Sequence, residues 1–158
     1  MVTLEPMTVE AWDRWRGGAV RGYAADKVRA GAWPAEGAEA RSDEEFRTLL
    51  PQGLATPGHD LRSIVNEAGE VVGTLWFGPV REGGRGTCFI WDIEVIAEAR
   101  GLGYGRAALA ALEPLARERG FTSIGLHVFG DNEVARNLYR SSGYAETDVM
   151  MRKVLDPA

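Results

Sequence analysis

Apolar and polar positions along this chain follow two rhythms, a period of about two residues and a period between about three and four, and these mark strands and helices. The opening "MVTLEPM" alternates briefly and stops near Pro6, which predicts a first strand. Thr8 stands at the N-cap of a helix with Trp12 and Trp15 on one face. The pair Gly17-Gly18 weakens that helix, and "AVRGYAADKVRAG" resumes it. After a break at "AWPAEG", the run "SDEEF" predicts a capping box. In it Ser42 caps, Glu45 reaches back, Phe46, Leu49 and Leu50 turn inward, and Pro51 ends the helix.

The loop "QGLATPGHD" leads into "LRSIVNEAGEVVGTLWFGPV", two alternating runs around "NEAGE", which predict a hairpin. The turn "REGGRG" (81–86) introduces a long strand, "GTCFIWDIEVI". A glycine-rich stretch opens a helix that runs to about Arg119 and closes at Gly120. "FTSIGLHVF" predicts a strand, "GDNEVARNLYRSSGY" a loop and a helix ended by Gly143, and "AETDVMMRKVL" one or two closing strands. The order is mixed α/β: a largely antiparallel sheet flanked by helices, in one domain over residues 1–158.

Composition narrows what such a fold can do. Net charge is −5, which argues against a generic nucleic-acid or membrane-surface binder, since both need a basic field. The single cysteine, Cys88, excludes an internal disulfide and a cysteine metal cluster, and a free thiol fits a reducing cytoplasm. No basic-then-apolar leader opens the chain and no apolar run approaches the length of a bilayer span, so the cytoplasm is the expected location.

The stretch "RGLGYGRAAL" (100–109) carries the first chemistry. Glycines between a strand and a helix let the backbone approach an anion, and the first helical N–H groups lack partners within the helix. Arg100 and Arg106 flank the loop and could add phosphate contacts. Gly103, Gly105 and Ala108 fit a dinucleotide pattern, but the next strand, "GLHVFG", ends without the carboxylate that holds a ribose. No G-K-[ST] follows, so this is no Walker loop. A tight turn that binds nothing remains the competing reading.

Residues 90–144 carry a resemblance. "IEVIAEARGLGYGRAAL" resembles the acyl-CoA-binding segment of the GNAT superfamily of N-acetyltransferases, with Arg100, Gly103 and Gly105 in the loop positions. "GLHVFGDNEVARNLYRSSGY" resembles the segment that follows it there, with Asn132, Ala135, Leu138-Tyr139 and Gly143-Tyr144 in place. The resemblance implies acetyl-CoA as acyl donor and no metal. It implies pyrophosphate held by the amides of Gly101, Gly103, Gly105 and Arg106, and pantetheine amides pairing with the strand edge at Ile93 and Val95. Asn132, Ala135 and Tyr139 would belong to the same donor site. It further implies a bulge in that strand, a cleft beside it for the thioester, and an amine acceptor attacked directly in a ternary complex.

Transfer to an amine needs a base, a polarised carbonyl and an acid for the leaving thiolate. Tyr139 matches the tyrosine that the family uses as acid; otherwise it is a core aromatic. Asp92 and Glu94 share one face of their strand, opposite Ile93 and Val95. Each carboxylate raises its neighbour's pKa, and Glu94, nearer the expected cleft, is the first choice of base; the plain alternative is a solvated strand face. His127 is a proton shuttle, a pocket wall or a structural histidine, His59 a surface loop residue, and Cys88 a small core residue. Glu36, Glu39, Asp43, Glu44 and Glu45 would edge the acceptor site and favour a cationic amine, small molecule or peptide, unless they only solvate a helix. Trp33 and Trp76 are pocket walls or core. A homodimer is left open. A non-catalytic acyl-CoA-binding or regulatory module of the same fold is the competing function.

Overall fold

The computed structural model describes residues 1–80 and 86–157, so most of the expected turn "REGGRG" lies outside the described residues. Among the described residues, five strands and four α-helices follow in the order β1 (Val2–Pro6), α1 (Val9–Arg29), α2 (Ala38–Leu49), β2 (Asp60–Asn66), β3 (Val71–Pro79), β4 (Thr87–Val95), α3 (Tyr104–Glu118), β5 (Ser123–Leu126) and α4 (Glu133–Ser141). The strands lie in the sheet in sequence order; β1 to β4 are antiparallel and β5 runs parallel to β4. Among the described residues no helix is long and apolar enough to cross a membrane.

Local chemistry explains most boundaries. The Thr8 hydroxyl accepts the Ala11 N–H and starts α1. The β2–β3 turn is held by the Asn66 side chain, which accepts from the N–H groups of Ala68 and Glu70, and Gly69 takes the left-handed conformation there. Gly120 and Gly143 are likewise left-handed just beyond α3 and α4. Pro114 is accommodated within α3, which continues through it.

Four expectations are corrected. Gly17-Gly18 does not divide α1. Each glycine costs about 1 kcal/mol in a helix, and the buried Trp15, Val20 and Ala24 on both sides outweigh that. Ser42 does not cap α2. The helix starts earlier, with Gly37 at its N-cap, and Ser42 lies buried inside it, donating its hydroxyl to the Val20 carbonyl at 2.8 Å. β5 stops at Leu126 rather than reaching Phe129, because its partner changes course: Trp76 pairs with Asp92 while Phe77 pairs with Ile90, leaving Trp91 as an extra residue. Finally, residues 145–157 form no strand.

The bulge at Trp91 also rephases β4. Before it, the buried Cys88 and Ile90 pack with Ile64, Leu75, Phe77, Leu109 and Leu112; after it, Ile93 and Val95 pack on the same core. Trp91 joins the other cluster, formed by Trp15, Phe46, Leu61 and Trp76. So α1 and α2 cover one face of the sheet, and α3, with Leu138 and Tyr139 of α4, covers the other.

Candidate active site

The parallel β4–β5 pairing extends only from Thr87 to Ile90. Beyond the bulge, among the described residues, β4 pairs only with β3: Ile93 faces Leu75 and Val95 faces Gly73. The edge of β4 that faces away from β3 is therefore open along 91–95, and it leads to the glycine loop. A Cβ at Gly73 would lie 2.2 Å from the Glu94 carbonyl oxygen, so only glycine lets β3 approach β4 here.

In the loop, Gly101 and Gly103 are left-handed, with φ of +75° and +86°, and a Cβ at either would meet open space. Gly103 is the N-cap of α3, which has no side-chain cap, and the first helical bond runs from the Ala107 N–H to the Gly103 carbonyl. The amides just before it, Gly105 and Arg106 included, point from the positive end of the helix without an intrahelical acceptor. This is the physical requirement of an anion site. A Cβ at Gly105 would come within 3.0 Å of the Leu138 side chain, so this glycine sets how closely α4 approaches α3. The arginine side chains are engaged elsewhere. Arg100 donates to the Val95 carbonyl at 3.0 Å and lies 3.9 Å from Glu94, and Arg106 donates to the Ser141 carbonyl and hydroxyl.

Asn132 is the N-cap of α4; its carboxamide oxygen accepts the Ala135 N–H at 3.2 Å. About two turns on, Tyr139 is half-buried beside Tyr144, ring centroids 5.8 Å apart. Burial raises the Tyr139 pKa, and the charge of Asp92 raises it further, which links the two groups electrostatically. Asp92 accepts a hydrogen bond from the Trp15 indole at 3.2 Å. Burial pushes its pKa up to about 6; the indole opposes this, and the charges of Glu94 and Asp26 reinforce it. Glu94 is different: its side chain is 56% exposed, near Arg100. It borders a cavity of about 310 Å³ between α1 and β3, with Arg14, Trp15, Gly18 and Thr74.

His127 lies just past β5, edge-on to Phe129, its pKa lowered by burial and then by Lys27. His59 is not a surface residue: its Nδ1 accepts from the Trp76 indole at 3.0 Å, its ring lies against Trp91, and burial lowers its pKa. Cys88 is fully buried, its thiol pushed up to about 11 mainly by burial. Trp33 and Trp76 are core residues. Of the acidic segment, Asp43 pairs with Arg16 at 2.6 Å and Arg47 at 2.9 Å, while Glu36, Glu39 and Glu44 are exposed. Among the described residues no group of three or more His, Cys, Asp or Glu is placed to hold a metal ion.

Two contributors escape the sequence. Trp15 supplies the hydrogen bond to Asp92 from 77 residues away, and Arg29 ties α1 to the loop before α4 through Asp131 at 2.8 Å. The one clue is general: a buried carboxylate calls for a donor.

The chain is 40% identical over 154 residues to the uncharacterized N-acetyltransferase YycN of Bacillus subtilis (strain 168), covering 98% of this chain and 99% of that one. It is 35% identical over 153 residues to YdgE of the same organism, also an uncharacterized N-acetyltransferase, covering 97% and 98%. The crystal structure of YycN superposes with a TM-score of 0.92 over 99% of this chain and 100% of that one. The family model for the acetyltransferase (GNAT) family matches residues 23–144, and the chain belongs to that family.

Proposed function

We propose that this chain, as one domain over residues 1–158, transfers the acetyl group of acetyl-CoA to a primary amine by direct attack within a ternary complex. The observation that carries this reading is the open edge of β4, which has the half-buried Asp92 at its head and the uncapped N-terminus of α3 at its foot. The amides of Gly101, Gly103, Gly105 and Arg106 hold the pyrophosphate. The backbone of Ile93 and Val95 pairs with the pantetheine amides. The Asn132 carboxamide spends its oxygen on capping α4, so its NH₂ group is what it offers the donor, beside Ala135.

Asp92 is the better base of the two carboxylates. With a pKa of about 6 it is ionised at neutral pH yet holds a proton more readily than an ordinary carboxylate. Glu94, exposed beside Arg100, lines the route instead. Asp92 takes a proton from the acceptor ammonium, directly or through water. The amine nitrogen then bonds to the acetyl carbon and gives its second proton to solvent, the carbon–sulfur bond breaks, and Tyr139 passes its phenolic proton to the leaving sulfur. Solvent returns a proton to Tyr139 and removes one from Asp92. The charges of Asp92, Glu94 and Asp26 favour a cationic amine, of a small molecule or a peptide.

Thiol release from acetyl-CoA across a panel of mono-, di- and polyamines and peptides, with acetylated product identified by mass, tests the reading. Amine-dependent release is expected. Tight acetyl-CoA binding without turnover of any amine would instead make the chain a binding module.

A further inference from the structure

The cavity of about 310 Å³ between α1 and β3 takes no part in the transfer steps, and its lining is unusual for a space under a helix. Its floor carries a cross-strand row of polar side chains. Ser63 of β2 pairs with Thr74 of β3, and Thr74 pairs with Glu94 of β4. Ser63 is buried, and the Thr74 hydroxyl oxygen is buried without a hydrogen-bond partner, a state that native folds rarely leave unfilled. Glu94 is available as well. Asp26, the other carboxylate whose charge reaches Asp92, is paired with Arg29 at 2.7 Å, whereas Arg100 stands 3.9 Å from Glu94, beyond hydrogen-bond distance. The roof is α1, and Gly18 lines it. Glycine is a poor residue for a helix interior, and no neighbour demands it here: a Cβ at this position would meet nothing within 4 Å. What glycine leaves is room. Trp15, almost a turn earlier, lines the cavity and donates its indole N–H to Asp92, so the cavity and the base share a wall. The half-exposed Val71 and Ile96 make one side of the rim apolar.

We propose that this cavity seats a second ammonium of the acceptor, which makes the acceptor an unbranched diamine; this rests on the transfer reading above. The reacting nitrogen lies at Asp92. The far ammonium donates to the Glu94 carboxylate and to the Thr74 hydroxyl, which gains its missing partner, and the methylene chain passes along Trp15. An ammonium has three donors and no acceptor, which suits a floor made of a carboxylate and two hydroxyls. Strand geometry sets the length. Asp92 and Glu94 are two residues apart on one face of β4, about 7 Å, which matches the nitrogens of an extended diamine with about four or five methylene groups. Arg14, exposed at the rim, repels a third ammonium, so a diamine is favoured over longer polyamines.

Unbranched α,ω-diamines of increasing length, each against the monoamine of equal carbon number, test this on the whole chain. One readout is kcat/KM for acetyl transfer. The other is calorimetric binding in the presence of CoA, which carries no acetyl group and allows no turnover. Both should peak at about four or five methylene groups. Gly18→Leu fills the cavity and Glu94→Gln removes its charge. Each should erase the peak and lower the diamine-to-monoamine ratio about tenfold or more, through KM rather than kcat. A native chain without a length optimum, or a peak that survives either variant, would overturn the proposal. So would equal losses for diamine and monoamine in Gly18→Leu, the mark of a purely structural role. The two readouts separate the cavity from the reaction. Transfer without a length optimum overturns the cavity's role alone; length-selective binding without transfer overturns the reaction and leaves the cavity's role standing.

Discussion

Asp92 is a residue whose chemistry opposes its stability. Its pKa is about 6 in the fold against an ordinary 3.8. Between those values the folded chain keeps a proton that the unfolded chain releases, so stability falls as pH rises through this window, and the full penalty stands above it. That penalty is at most about 3 kcal/mol. Asp92→Asn removes the charge and keeps an oxygen to accept from the Trp15 indole. At pH 7.5 it should therefore raise Tm by several degrees, since about 1 kcal/mol moves a domain of this size by about 2–4 °C. An unchanged or lower Tm in a thermal melt would contradict the assigned burial. Tyr139→Phe separates acid from scaffold: the ring keeps its packing on Tyr144 and the proton is lost. We expect kcat to fall by about 10- to 1000-fold, with acetyl-CoA affinity unchanged by calorimetry. The sequence put the two carboxylates on one strand face and ranked Glu94 over Asp92. The proposed preference for Asp92 rests on its burial and its bond to Trp15, and neither is encoded within reach of Asp92 along the chain.

The bulge in β4 and the glycines around it act as one device: the strand edge opens, and the backbone comes close where it must. Gly73→Ala would drive a Cβ into the Glu94 carbonyl, and backbone cannot swing aside. A loss of about 1–3 kcal/mol or more is expected, read as a lower Tm. Gly103→Ala meets no such wall. Its cost is the left-handed backbone at φ +86°, so the variant should fold, lose about 1 kcal/mol, and bind acetyl-CoA more weakly as the loop shifts. Equal Tm losses for the two variants would contradict this division. Elements set by adjacent residues were legible: the Thr8 cap, the Asn66 turn, and the glycine stops after α3 and α4. Those set by distant partners were not. "SDEEF" satisfies a capping rule, yet the packing of α2 on α1 buries Ser42 within the helix. "AETDVMMRKVL" has strand chemistry, yet a strand needs a neighbour, and among the described residues none stands beside it.

The whole chain lays the proposed reaction along one line, from the uncapped end of α3, up the open side of β4, to Asp92 and Tyr139 between the two cores. Charge extends this outward. With Asp92, Glu94 and Asp26 near the head of the line, transfer to a diamine should exceed transfer to a matched monoamine, and salt should shrink that advantage by screening. The residues of the proposed donor site, the glycines and the "N-x-x-A-x-x-L-Y" run, lie in one stretch of chain and could be read together. The groups proposed to favour the acceptor, Asp26 of α1 with Asp92 and Glu94 of β4, come from separate stretches, and none announces the others. The most direct test of the central claim is the pH dependence of kcat/KM for acetyl transfer by the native chain and by Asp92→Asn. The native profile should rise through a limb near pH 6 as Asp92 ionises. The variant should lose that limb and about 100- to 10,000-fold in rate, keeping only the dependence set by the amine itself. A variant with the native rate and the native limb would remove Asp92 from the reaction.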